Sequence, residues 1–439
     1  MLFRINVIAV SLAALLAAAP AIANESGCVT KFDPSKDYFP DKVTTKYGAG
    51  FEISYNKNYK VIRNLVSDEN YILVQCGTPA PADHPATDAT STQVGDWTKV
   101  FDVPAKKVAL DSAPASAILE LLGEQDSVGA SYRFLEVTSP CMQKRLDGLP
   151  RIQQNFGTPK TKNSRRAILT PRVSYDLGDN VLDWTFTTYG MSDPYSVAVN
   201  PESATDMLGK AEWIKFIGAF YNREADANKL FEGIESRYAC LQDHAKSTGL
   251  TKQTKTVGFA RYNRVPNGTV TSWTVDQGQQ WFVQGLADAG LTVHAGDVTG
   301  YSNVDSFHKA IGDWDVLIDM STEPLKRGGA TIPLWDNLVD GYQFNDNQKL
   351  RVVADNSIYR TDHISSVNNA TDFNEHLQIQ PDLLLADFIR IHAANDGTTE
   401  AIWHRNLPKQ APVSWLSADS CQNMADKVAS ASSGIGKCS

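Results

Sequence analysis

The chain lacks a basic excess: 41 Lys and Arg stand against 50 Asp and Glu, a net charge of -9, which argues against a general nucleic-acid partner. It has no G-x-S-x-G elbow, no Walker loop and no Cys–His nucleophile signature, so catalysis by those routes has no local support. Gly328-Gly329 reads as a turn, since no phosphate-cradling pattern surrounds it. The histidines (His84, His244, His294, His308, His363, His376, His392, His404) contain no HxH or HExxH pair, the close spacing that local metal sites use. No cysteine pair has CxxC spacing, which removes a redox motif or zinc ribbon. Beyond the N-terminus no run is apolar enough to span a bilayer, and the polar end SSGIGKCS is unlike a lipid-anchor tail.

What is present begins with an export signal. Arg4 supplies a positive n-region, Val7 to Ala19 an apolar stretch, and Ala21-Ile22-Ala23 a small-residue cleavage pattern. Residues 1–23 are therefore expected to be removed, leaving a secreted protein, periplasmic if bacterial. The six cysteines (Cys28, Cys76, Cys141, Cys240, Cys421, Cys438) then favour disulfides. The expected pairs are Cys28–Cys76, Cys141–Cys240 and Cys421–Cys438, with the first and last stapling the end segments. Sequons at Asn267 and Asn369 discriminate weakly.

Periodicity sets the organisation. Residues 24–97 read as a β-rich leader and linker, in which FEISY, YKVIRNL and YILVQC alternate at strand period. They form a sheet extension or a small appendage. Residues 98–222 open as strand, helix, strand: KKVAL, then a helix with Ser112 as N-cap, Pro114 in the first turn and Gly123 as terminator, then SVGA. Residues 135–195 hold insertions whose elements the pattern does not resolve. Trp213, Phe216, Ile217 and Phe220 form one helical stripe, and Ala227, Leu230, Phe231, Ile234, Tyr238 and Leu241 a second, with a break at Asn222-Arg223-Glu224. Residues 223–246 are thus expected to bridge to a second α/β lobe at 247–395. That lobe has strands at TVGFA, DVLIDM and LRVVA, and helices at 279–289, 304–311, 333–338, 372–376 and 382–394. Residues 396–439 form a cysteine-bearing tail.

The segments VALDSAPASAILELLGEQDSVGA, GKAEWIKFIGAFYNREADANKLFEGIESRY, WDVLIDMS and QPDLLLADFIRIH, in this order, resemble the iron-siderophore/vitamin B12 class of periplasmic substrate-binding proteins. Pro381-Asp382 and Asp387 match that family's closing "PD....D" helix. The resemblance spans about residues 100 to 395. It implies an α/β fold of two Rossmann-like lobes joined by a long helix, without catalysis or a cofactor. It also implies a monomer that captures a small ligand, an iron chelate, haem or corrinoid, for an ABC-type importer or another surface receptor. The leader, the insertion, the tail and the absence of a lipobox around Cys28 depart from the bacterial pattern. With the sequons they point to a secreted relative, eukaryotic among the options.

In such lobes ligand contacts come from loops at the carboxyl ends of parallel strands. The first lobe offers Asp111, Ser112, Tyr132 and Arg133 there. The second offers Arg261, Tyr262, Trp273, Ser321, Lys326, Arg327, Tyr359 and Arg360. Arg and Lys suit ligand oxygens, and Tyr and Trp give flat faces with a hydrogen-bonding edge. His363 is the best candidate for a distributed bare-metal site. Asp319, Asp355 and Asp362 would be the acids of an extracellular enzyme, though loop or cap roles suit them better. A ligand-free interaction protein is the remaining alternative.

Overall fold

The computed structural model describes residues 27–81, 97–132, 135–149, 182–190, 193–265, 268–276, 280–294, 298–321, 335–344, 349–394, 401–423, 435 and 437–438. The export signal, Arg133, Asn267, Lys326 and Arg327 lie outside the described residues.

The alternating leader segments form β1 (Phe51–Tyr55), β2 (Tyr59–Asn64) and β3 (Glu69–Gln75), an antiparallel meander to which β4 (Trp97–Val103) adds in parallel. This sheet is no appendage. Phe51 packs edge-on against Trp213 and Phe216 at 5.3 and 5.2 Å, and Tyr71 against Phe216 and Phe220 at 5.9 and 5.7 Å. Buried lysines pin it further: Lys60 pairs with Glu224, and Lys99 with Glu69 at 2.7 Å while also donating to Ser196 O at 2.9 Å.

The first lobe's sheet has the order β6 (Val128–Ser131), β5 (Val108–Asp111), β7 (Trp184–Thr187), β8 (Ser196–Ala198), all parallel. Its strands are short apolar runs because both faces are covered. Helix α1 (Ala113–Leu122) follows β5 with the expected caps: Ser112 Oγ accepts from Ala115 N, and Gly123, at φ 75°, donates back to Glu120 O at 3.0 Å. Helix α2 (Pro140–Leu146) follows β6. The two helical stripes divide as the sequence indicates. Short α3 (Met207–Ala211) precedes α4 (Trp213–Phe220), the chain turns at Asn222 with φ 54°, and α5 (Glu224–Ser247) runs on for 24 residues, about 36 Å at the helical rise. Gly218 lets α4 and α5 meet, since a Cβ there would lie 2.7 Å from the Ala227 Cβ.

The second lobe comprises β9 (Lys255–Arg264), β10 (Val270–Asp276), α6 (Gln280–Asp288), β11 (Leu291–Val293), β12 (Thr299–Tyr301), α7 (Val304–Ala310), β13 (Val316–Asp319), α8 (Trp335–Tyr342), α9 (Arg351–Ala354), β14 (Ile358–Arg360), β15 (Ile364–Ser366), α10 (Asp372–His376) and α11 (Pro381–Ala393). The tail adds β16 (Arg405–Asn406) and β17 (Ser414–Leu416). Strands β11, β9, β13 and β14 are parallel neighbours, flanked by antiparallel β10 and β16. The chain is thus mixed α/β, with two largely parallel sheets, a long connecting helix and an N-terminal β-sheet.

Two expectations are corrected. The LRVVA run is one helical turn, α9, and the sheet strand comes slightly later as IYR. An apolar run of this length carries no period that separates strand from helix. The reversal at Asn356, φ 52°, is what starts β14 in register with β13. The disulfides are Cys28–Cys76, as expected, with Cys141–Cys421 and Cys240–Cys438 in place of the other two expected pairs. The tail returns across the molecule. Its β17 pairs in parallel with β15, and the chain beyond reaches α2, where Lys144 Nζ donates to Cys421 O at 3.4 Å. Each tail cysteine therefore meets a different element.

Candidate ligand site

The sequence directs polar residues to the carboxyl ends of the parallel strands, and the structure separates them into a supporting layer and a surface. In the first lobe Asp111 ends β5, and its carbonyl accepts from Thr188 Oγ1 at 3.1 Å. Ser112 is buried as the α1 cap. Tyr132 is half-buried just past β6, its N–H donating to Leu110 O at 2.8 Å. Two residues past β7 stands Tyr189, whose side chain is 73% exposed.

In the second lobe Asp319 at the end of β13 is the centre of a buried network. Ser321 Oγ and Tyr342 Oη each donate to Asp319 Oδ1 at 2.6 Å, and Arg360 Nη1 pairs with Oδ2 at 2.6 Å. Arg360 Nε also meets Asp362 Oδ2 at 3.1 Å, and Arg405 grips Asp362 with two bonds of 2.8 Å. Burial works against the Arg360 charge, but Asp319 and Asp362 outweigh it and raise its pKa. Burial, then the Asp319 charge, raises the Tyr342 hydroxyl well above its ordinary value. Two carboxylates face two guanidiniums, so the layer is neutral as a unit and, being fully paired, rigid.

The structure thus gathers Tyr262, Ser321 and Arg360 around Asp319. Tyr262 N donates to Ser321 Oγ at 3.1 Å, and its ring meets Tyr342 edge-on at 5.0 Å. Trp273 is buried nearby, donating from Nε1 to Gly341 O at 2.9 Å. Tyr359 falls on the opposite face of the strand from Ile358 and is buried in the main core. In the same lobe Arg261 remains 43% exposed, held by Asp276 at 3.4 Å, and Met320 is 43% exposed. His363 lies apart, its Nδ1 against Ala401 O at 2.7 Å. Asp355 follows α9.

Sequence reasoning missed Tyr189, because it falls in the stretch whose elements the pattern leaves open. It missed Met320 because an apolar residue after a strand reads as core. It also missed a buried group on α10, where one donor atom from each of Asp372, Glu375 and His376 lies within 4.8 Å of the others. Their i, i+3, i+4 spacing, which puts three ligand-type residues on one helix face, was the available signal.

No family model matches the chain. It is similar to an uncharacterized lipoprotein of Methanocaldococcus jannaschii, 26% identical over 194 residues, 40% of this chain and 44% of that protein. The match thus spans under half of that relative's length. Among solved structures, it is similar to an ABC-type Fe3+-hydroxamate transport system protein of Saccharomonospora viridis, with 14% identity, TM-score 0.39 and coverage of 67% of this chain and 95% of that one. A periplasmic heme-binding protein of Pseudomonas aeruginosa matches with 12% identity, TM-score 0.39 and coverage of 68% and 95%. An ABC transporter solute-binding protein of Sulfurospirillum deleyianum matches with 13% identity, TM-score 0.42 and coverage of 69% and 88%. The structural neighbours are thus periplasmic substrate-binding proteins, the kind the sequence resembles. Three disulfides fit an extracytoplasmic location. Among the described residues no helix is long and apolar enough to cross a membrane.

Proposed function

We propose that the chain is an extracytoplasmic solute-binding protein that holds one small ligand, of the iron-chelate, haem or corrinoid class, at the carboxyl ends of the strands of its two lobes. It passes the ligand to an ABC-type importer or another surface receptor. What supports this reading is a neutral, paired network at the ends of second-lobe strands, together with exposed Arg261 and Met320 in that lobe and exposed Tyr189 just past β7 in the first. Arg360 is buried between two carboxylates, whereas Arg261, paired with Asp276 at 3.4 Å, is 43% exposed and can still reach ligand oxygens. Tyr189 and Met320 supply flat and polarisable apolar contact. This set suits a bulky chelate with an apolar body and an anionic edge. Tyr132 belongs to the same rim, and Arg133, Lys326 and Arg327 are proposed to extend it. Trp273, Tyr262, Ser321, Tyr359 and Arg360 serve as its support.

The reading is tested by titrating the purified protein with ferric hydroxamate, ferric catecholate, haem and cobalamin, followed by tryptophan fluorescence. One of the four is expected to quench saturably, and Tyr189→Ala and Arg261→Ala each to weaken it about tenfold, roughly 1.4 kcal/mol, with thermal stability unchanged. Equal affinity in both variants and wild type would remove these residues from the site.

A further inference from the structure

The turn between β2 and β3 of the leader lies against the carboxyl ends of β7 and β8 in the first lobe. Buried Asn64, the last residue of β2, ties it there. Its Nδ2 donates to Ala198 O, at the end of β8, and to Asn200 Oδ1, each at 3.1 Å. Its Oδ1 accepts from Val66 N at 3.0 Å and Ser67 N at 3.2 Å, so the same side chain shapes the turn. Asn200 Nδ2 donates onward to Thr188 O at 2.5 Å, next to Tyr189, and Thr187 Oγ1 donates to Tyr189 O at 2.8 Å. At Gly190 the two loops touch, since a Cβ there would stand 2.9 Å from Ser67 Cβ. The leader turn and the loop that carries Tyr189 are therefore one hydrogen-bonded unit.

That unit presents apolar side chains to solvent. Leu65 is 46% exposed and Val66 41%, beside the 73% of Tyr189. Turns ordinarily carry Gly, Pro, Asn, Asp or Ser, and here Asp68, at φ 56°, supplies the reversal. Two consecutive aliphatic residues are not needed to make the turn, and contiguous exposed apolar surface marks a binding face. We infer, resting on the function proposed above, that Leu65 and Val66 extend the first-lobe side of the ligand site. The ligand then carries an apolar arm, an acyl chain or an alkylated ring edge, which the leader turn selects. Its place at the ends of β7 and β8, bonded to the Tyr189 loop, is where ligand contacts arise in such lobes. A polar arm laid on Leu65 and Val66 would lose water without gaining a side-chain partner from them. The leader lies outside the segments that carry the family resemblance, so this specificity belongs to this chain's own addition.

The test titrates the purified full chain with a ferric hydroxamate bearing an acyl chain, the same hydroxamate without it, ferric catecholate, haem and cobalamin, followed by tryptophan fluorescence. The tightest ligand of the wild type is expected to have an apolar arm. Preference for the acylated over the plain hydroxamate identifies an acyl arm, and tighter haem or cobalamin binding a ring edge. Leu65→Ser/Val66→Ser should weaken that ligand by at least about tenfold and leave the plain hydroxamate unaffected. Leu65→Met/Val66→Ile should keep the affinity within about twofold, since the apolar contact is retained. Equal affinity of the double-serine variant and wild type for the tightest ligand would overturn the inference, as would a tightest ligand without an apolar arm. Weakening by Tyr189→Ala and Arg261→Ala would then leave the proposed function standing. A wild type that binds none of the five overturns both. Both side chains are exposed, so the thermal midpoint should not move; should it fall, Leu65→Ser alone decides by the same comparison.

Discussion

Asp387 gives the closing-helix motif a physical reason. Its carboxylate, fully buried on α11, accepts from Trp403 N at 2.8 Å, His404 N at 3.2 Å and His404 Nδ1 at 2.9 Å, and also from Ile402 N. It therefore fixes the chain that leads into β16. Asp382, at the other end of the motif, pairs with Arg237 of α5 at 2.6 Å. Asp387→Ala orphans several buried N–H groups, and a loss of about 2–4 kcal/mol is expected in urea unfolding. Gly258 shows the opposite hazard: a Cβ there would stand 2.2 Å from the Trp314 ring, so Gly258→Ala is expected to cost about 1–3 kcal/mol by the same measurement. At this scale the α1 caps were legible because they act on nearby backbone, and the motif aspartates through the family resemblance alone. The partners of Asp319 and Arg360 were not, because residues 262, 321, 342, 362 and 405 are joined only by the fold.

The elements show the same divide between local and long-range information. Helix α5 was readable throughout, since its buried face of Ala227, Phe231, Ile234, Tyr238 and Leu241 repeats at helical period. It is a strut anchored in both lobes. Its first residue, Glu224, pairs with Lys60 of the leader, while Tyr238 donates to Asp288 of α6 at 2.7 Å. The packing of the leader on α4 left no such trace, because strand alternation marks a buried face without naming what covers it. Two of the three disulfide pairs left none either: Cys141 and Cys421 are 280 residues apart in sequence yet adjacent in the fold. That bond makes the tail a strap from the second lobe to the first. Cys141→Ser/Cys421→Ser together should lower stability by about 2–5 kcal/mol and make the tail newly sensitive to limited proteolysis. An unchanged digestion pattern would show that β17 and the Cys240–Cys438 bond suffice to hold it.

The whole molecule is stiffened by strut, strap and buried ion pairs, and its titration reflects that burial. Burial, reinforced by nearby carboxylates, raises the hydroxyls of Tyr55, Tyr71, Tyr238 and Tyr342 above their ordinary value. The unfolded chain releases these protons near pH 10 and the folded chain does not, so stability falls as pH rises beyond 10. Lys60 and Lys210 run the other way. Burial lowers both to about 8 against the pull of Glu224 and Glu202 respectively, so their contribution rises from pH 8 towards 10.5. The urea midpoint is therefore expected to rise or hold between pH 8 and 10 and to drop steeply above it. The full tyrosinate absorbance should be reached only with unfolding. Ionisation of every tyrosine in the folded protein near pH 10 would contradict this burial.

Such a frame restricts lobe closure, so binding should use a largely preformed site with modest rearrangement. The most direct test of the central claim is calorimetric titration of the wild-type chain with the four chelate classes, with small-angle scattering of the free and saturated protein. The account predicts one saturable site for at least one chelate and a radius of gyration nearly unchanged on binding. No heat of binding from any of the four would contradict it.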